Sequence, residues 1–224
     1  MKILIAWILG GLLLLSGCGL NEDNYQSDVP VTPVENFAEP KSAEETANEE
    51  VKNVSEINLD VPFFSQAPTG NWDMPYQEAC EEASLLQAYY YVTGQAPSIA
   101  KFEADELDVV DWEVETFGQY EHTTITQTAQ IARDYLEYDN YLIVDDPSVE
   151  DLKSYLAQGY PIVAPMAGRY LGNPYFTGDG PVYHMLVIRG YDEGEGVFIT
   201  NDVGTRHGEN FIYTYDVFMN ALHD

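Results

Sequence analysis

Apolar and polar positions divide this chain into three regimes. An apolar run from Ile3 to Leu15 follows Lys2 and ends in small residues at Cys18. Residues 19 to 56 mix Asn, Glu, Asp, Pro, Ser and Thr with no sustained apolar period, which predicts a disordered tether. From Ile57 onward the apolar positions recur at the spacings of helices and strands, and a single folded domain is expected over 57–224.

Within that domain Ile57 to Gln66 alternates apolar and polar residues up to Pro62, the pattern of an edge strand running into a loop. The loop from Ala67 to Pro75, with Pro68, Gly70 and Trp72, leads into a helix that begins near Cys80 and stops at Gly94. Ala83, Leu86, Ala88, Tyr89, Tyr90 and Val92 give this helix a broad apolar face, so it reads as central. Pro97-Ser98 opens a short helix, Ile99 to Leu107, and the acidic stretch after it, with Trp112, Phe117 and Tyr120, has no assignable period. A further helix is expected from Ile125 to Tyr138, a buried strand at Tyr141 to Val144, and a helix capped by Ser148 that runs to Gln158 and ends at Gly159. The last third turns to strands: Pro161 to Met166, Val182 to Gly190, Val197 to Asp202 and Phe211 to Tyr215, followed by a helix from Asp216. Helices first and hairpin-linked strands afterwards predict an α+β fold. Gly168 to Pro181, rich in Gly, Asn, Pro and Tyr, is long enough to rim a cleft.

Charge narrows the partners. The formal net charge is -29, and residues 57–224 carry 6 Lys plus Arg against 28 Asp plus Glu. Such a surface repels nucleic acid, and solubility accounts for it more simply than a basic partner. The basic start, short apolar run and small residues predict an export signal rather than a spanning helix. Leu15-Ser16-Gly17-Cys18 resembles the lipobox of bacterial lipoproteins, which implies removal of residues 1–17, acylation of Cys18 and a membrane-anchored, extracytoplasmic protein. The segment 18–56 would then be a lipidated, acidic tether, reaching about 35 Å r.m.s. as a flexible coil.

With Cys18 consumed by lipid, Cys80 has no disulfide partner, and an unpaired thiol outside the cell calls for a chemical reason. At a helix start, unpaired backbone N–H groups and the helix dipole favour a thiolate. Glu81 and Glu82 oppose this by like-charge proximity, and they also argue against deep burial of the helix start. A cysteine nucleophile needs a base, a group to orient the base, and donors for the developing oxyanion. Of His122, His184, His207 and His223, only His184 sits in a strongly apolar strand, where a ring must be partnered. The next strand ends in Asn201-Asp202, and antiparallel pairing brings one of these two beside His184. Gln66, on the loop that passes the helix start, is the candidate oxyanion donor, and Trp72 on the same loop is a secondary candidate. No close paired-ligand spacing supports a metal site built from Cys80, His184, Asp202 and His207, and no cofactor is expected.

Val61-Pro-Phe-Phe-Ser-Gln66, Tyr76 to Leu86, Tyr183 to Asp192 and Phe198 to Gly204 together resemble the bacteriocin-processing peptidase-like family of papain-type cysteine peptidases. The order Gln, Cys, His, Asp is also that family's. The resemblance implies a papain-like fold with the cysteine helix packed on an antiparallel sheet, Cys80 as nucleophile, His184 as general base and acid, Asp202 as orienter and Gln66 as oxyanion donor. Transporter-fused members have Cys-Gly where this chain has Cys80-Glu81, so their double-glycine leader substrates are not implied. The expected function is a monomeric, membrane-tethered thiol hydrolase acting on a peptide or protein. The alternatives are an acyltransferase or amidase on a cell-wall component, and a non-catalytic peptide- or glycan-binding lipoprotein using Tyr170, Tyr175 and Tyr183.

Overall fold

The structure, a computed structural model, describes residues 1–6 and 54–223. Its strands are β1 (Lys2–Ala6), β2 (Glu56–Asn58), β3 (Tyr141–Asp145), β4 (Ile162–Met166), β5 (His184–Asp192), β6 (Val197–Asn201) and β7 (Phe211–Thr214). Its helices are α1 (Cys80–Thr93), α2 (Ile99–Phe117), α3 (Ile125–Asp134), α4 (Val149–Ala157), α5 (Gly168–Leu171) and α6 (Tyr215–Ala221). All strand pairings are antiparallel, in the order β3-β1-β4-β5-β6-β7. β2 pairs with the far half of β5, where Glu56 faces Asp192 and Asn58 faces Gly190. A Cβ on Gly190 would lie 2.0 Å from the Ile57 carbonyl oxygen, so only glycine permits this close approach.

Both faces of the sheet are covered, which is why its central strands read as continuous apolar runs rather than alternating ones. Ile3, Ile5, Ile162, Leu186, Ile188 and Phe198 pack with Leu152 and Leu156 of α4 and Phe218 of α6. Leu4, Val163 and Met185 point the other way, against Ala83 and Leu86 of α1, Phe102 and Val109 of α2, and Ile125 and Ala129 of α3. The fold is α+β, with the cysteine-bearing helix laid on an antiparallel sheet. α1 is buried at every position from Cys80 to Ala88, so Glu81 and Glu82 lie inside the protein, contrary to the exposure their charge suggested.

α2 and α3 differ in extent from the sequence expectation. α2 runs through the acidic stretch to Phe117 and ends at Gly118 in the left-handed conformation. Its inward residues, Phe102, Glu106, Val109, Val110 and Glu113, keep helical spacing, but two of the five are acids, which erased the apolar period. α3 stops at Asp134, four residues short of the expected end.

The other difference is β1. Ile3, Leu4 and Ile5 are fully buried between β3 and β4, where Lys2 to Ala6 face Asp145 to Tyr141. The sheet thus includes residues expected to belong to the cleaved segment 1–17. An interior strand covered on both faces and the apolar core of an export signal ask for the same thing, a short run of large aliphatic residues, so composition does not separate them. Cys18 and the tether up to residue 53 lie outside the described residues, and the tether's last expected residue, Glu56, opens β2.

Candidate active site

Met74-Pro75 and a 3₁₀ turn at Tyr76–Glu78 deliver the chain to Cys80, the first residue of α1. The side chain of Cys80 is 7% exposed at the floor of a cleft of about 700 Å³, whose walls include Gln66, Trp72, Tyr175, Phe176, His184 and Gly204. Of the four histidines, His184 and His207 line this cleft. Trp72, at 41% exposure, stands on its rim.

His184 opens β5, and Asp202 follows directly on β6, the neighbouring antiparallel strand. The His184 Nε2 is 2.8 Å from Asp202 Oδ1, and both side chains are buried. Asp202 accepts three further hydrogen bonds: from the Gly204 backbone N–H to Oδ1 at 3.1 Å, and from Asn173 Nδ2 at 2.9 Å and the Tyr213 hydroxyl at 2.5 Å to Oδ2. Burial works against its charge. The neighbouring His184 and the donors Tyr213 and Asn173 outweigh burial and hold the carboxyl below the usual carboxylate range. With Nε2 held by Asp202, Nδ1 is the ring nitrogen of His184 left for the cleft.

Asn201, the other candidate orienter, is engaged elsewhere. It accepts from Arg189 Nη1 at 3.1 Å and donates to the carbonyls of Val61 and Pro62 and to Gln87 Oε1, tying β6 to the incoming loop and to α1. Residues one apart on a strand face opposite sides of the sheet, so only one of the pair could reach His184. Gln66 lies in the cleft wall, its Nε2 donating to the carbonyls of Tyr76 at 2.9 Å and Gln77 at 3.0 Å, while its buried Oε1 has no protein partner. Its amide thus braces the turn before Cys80.

The Cys80 thiol donates to Glu81 Oε2 at 2.9 Å. Burial first, then the carboxyls of Glu81 and Glu82, push the thiol well above its ordinary pKa. The thiolate expected from the helix start is therefore overridden: the dipole's contribution is small beside the cost of a buried sulfur anion near two acids. Among the described residues, no group of three or more His, Cys, Asp or Glu is arranged to hold a metal ion.

Asn173 and Tyr213 escaped the sequence reading, as did the hydrogen bond between Glu81 and the Cys80 thiol. Tyr213 looked like an ordinary strand aromatic and Asn173 like a loop residue. Only their convergence on Asp202, from segments 29 and 11 residues away, distinguishes them. Gly204 is equally particular, because a Cβ there would fall 2.9 Å from both His184 Cε1 and Phe176 Cε1. Gly204→Ala is expected to displace the imidazole and lower kcat/KM by about 10²-fold while leaving the melting temperature nearly unchanged. Steady-state kinetics beside a thermal melt checks this.

Residues 58–223 match the model of the Peptidase_C39 like family, which covers well over half of the chain. The chain belongs to that family. This C39-like chain is accordingly a cysteine peptidase-like hydrolase with an α+β fold. Among solved structures it is similar to xylellain, a cysteine protease from Xylella fastidiosa, at 15% identity over 73% of this chain and 80% of that one, with a TM-score of 0.45. No curated protein matches the sequence.

Proposed function

We propose that the protein is a membrane-tethered, extracytoplasmic cysteine peptidase in which Cys80 is the nucleophile, His184 the general base and acid, and Asp202 the orienter of His184. The observation that carries this reading is the buried His184–Asp202 pair opening onto the same cleft as Cys80. In the resting site the thiol proton points at Glu81, so catalysis begins with its transfer to Nδ1 of His184. The sulfur then attacks the scissile carbonyl. Backbone N–H groups of the first turn of α1, unpaired by helix geometry, are the nearest oxyanion donors. Gln66 joins them by exchanging one of its two carbonyl bonds for the oxyanion. The imidazolium protonates the leaving amine as the C–N bond breaks. Water, deprotonated by His184, then hydrolyses the thioester and releases the acid and the free thiol.

The anchor part of the proposal rests on Leu15 to Cys18. Processing there removes β1. β3 and β4, each antiparallel to β1, run parallel to one another and are joined through α4, the crossover that parallel strands require, which is the geometry a direct pairing of the two needs in the processed chain.

A peptide-library digest with the full chain, its Cys80→Ala variant and its His184→Ala variant tests the chemistry. Cleavage by the wild type alone is expected. Equal turnover by the histidine variant, or no cleavage by any form, defeats the peptidase reading. Mass spectrometry of the chain expressed in a lipoprotein-processing bacterium tests the anchor, which fails if residues 1–17 are retained.

A further inference from the structure

Beside Cys80 lies a group of buried acids that the proposed mechanism does not use. Glu81 Oε2 accepts from the Cys80 thiol at 2.9 Å, and Glu81 Oε1 accepts from the Thr123 backbone N–H at 2.8 Å. A backbone amide only donates, so Oε1 is fixed as an acceptor. Any proton on this carboxyl therefore sits on Oε2, the oxygen that faces the sulfur. Where Sγ and Oε2 hold one proton between them, it takes one of two forms, thiol with carboxylate or thiolate with carboxylic acid; below about pH 8 the carboxyl gains its own proton and the sulfur is again a thiol.

The surroundings decide between them. Glu82, also on α1, has two buried oxygens and no other side chain than Glu113 of α2 to bond with; burial and the neighbouring Glu113 carboxyl raise its pKa, and a proton shared between the two carboxyls satisfies it. Glu113 in turn accepts from the Thr123 hydroxyl at 2.7 Å. From the loop before α3 come Thr123 and the more distant Tyr120, and from β5 come His184 and a Met185 backbone hydrogen bond to the sulfur. Among the described residues no lysine or arginine is ion-paired with Glu81, Glu82 or Glu113. A sulfur anion here gains only the Met185 hydrogen bond, whereas the Glu81 carboxylate gains the Thr123 amide and the thiol.

We infer that Glu81 is a positioning residue that holds the resting nucleophile as a thiol, so that a thiolate forms only when the proton passes on to His184. The inference rests on the reading of Cys80 as nucleophile. It also supplies a reason for an acid beside a catalytic sulfur. Oxidants convert thiolates, not thiols, to sulfenic acid, and Cys80 is the only cysteine among the described residues, so no neighbouring thiol is there to reverse the damage.

In Glu81→Gln the amide oxygen keeps the Thr123 bond and the NH₂ turns to the sulfur, where it donates to a thiolate instead of repelling it. The full-length variant is expected to alkylate with iodoacetamide, forming the S–C bond and releasing iodide, with a pH midpoint lower by at least about one unit. Its alkylation rate near about pH 7, and its inactivation rate by hydrogen peroxide, should both rise about tenfold or more. An unchanged or higher midpoint in a folded variant overturns the inference. If that variant does not fold, the wild type decides alone: thiolate ultraviolet absorbance should be absent near about pH 7, and its presence overturns the inference. A shift in midpoint together with a failed peptide digest separates the two readings, since the brake would then stand where the peptidase does not. An active wild type with no shift sinks only the brake.

Discussion

Asp202→Asn is expected to lower kcat/KM by about 10³- to 10⁴-fold. The reason lies in the four donors that converge on this carboxylate: His184 Nε2 and the Gly204 amide on one oxygen, Tyr213 and Asn173 on the other. An asparagine has one acceptor oxygen and one NH₂. If the NH₂ faces His184, Nε2 must become an acceptor, the ring proton moves to Nδ1, and Nδ1 loses the lone pair to which the proposed mechanism passes the thiol proton. If it faces Tyr213 and Asn173, two donors confront a third, and a buried donor left unmade costs about 1–3 kcal/mol. Both arrangements impair the enzyme, the first through its chemistry and the second through its stability. Kinetics and denaturant melts on the same preparation separate them, and a kcat/KM within about tenfold of wild type contradicts the role given to Asp202.

Glu106→Gln is expected to stabilise the protein in a strongly pH-dependent way. Glu106 is fully buried on α2, neither oxygen has a hydrogen-bond partner, and burial, with Glu103 adding to it, raises its pKa to about 9. The unfolded chain ionises it near about 4.3, so between these values the folded state holds a proton that the unfolded state does not. The contribution of Glu106 to stability is therefore fully present below its unfolded pKa and is lost as pH rises toward its folded pKa. Glutamine carries no such penalty. The variant should melt within about 2 °C of wild type near about pH 5, and about 5–10 °C higher near about pH 8. Equal shifts at both values would show that Glu106 is ionised in the folded protein. Glu81, raised to about 8 chiefly by burial, and Glu82 act in the same direction, so some pH slope persists in the variant.

The sequence was most legible where local chemistry and tertiary demand agree. The helix after Ser148 closes a capping box in which Ser148 accepts from the Asp151 N–H and Asp151 accepts from the Ser148 N–H, both within three residues. β4, β5 and β6 were readable because a strand covered on both faces carries a near-continuous apolar run. α2 was half lost because Glu106 and Glu113 stand where a hydrophobic period requires apolar residues, and the protein accepts them only in forms that local pattern does not show. The start of the chain was read as a signal because its composition serves export and an interior strand equally well.

What the sequence determined by itself is the set of chemical groups: a lone cysteine at a helix start, a histidine inside an apolar strand, an Asn-Asp pair ending the next strand, and a glutamine before the helix. Those follow from residue type, spacing and the period of two that ties neighbouring strands together. Tertiary structure alone decided which oxygen meets His184, that Asn201 braces the loop and α1, that Asn173 and Tyr213 sustain the Asp202 charge, and that the Cys80 thiol points its proton at Glu81. Protonation and hydrogen-bond choice depend on burial and on partners distant in sequence, and these exist only once the sheet and α1 have closed around the site.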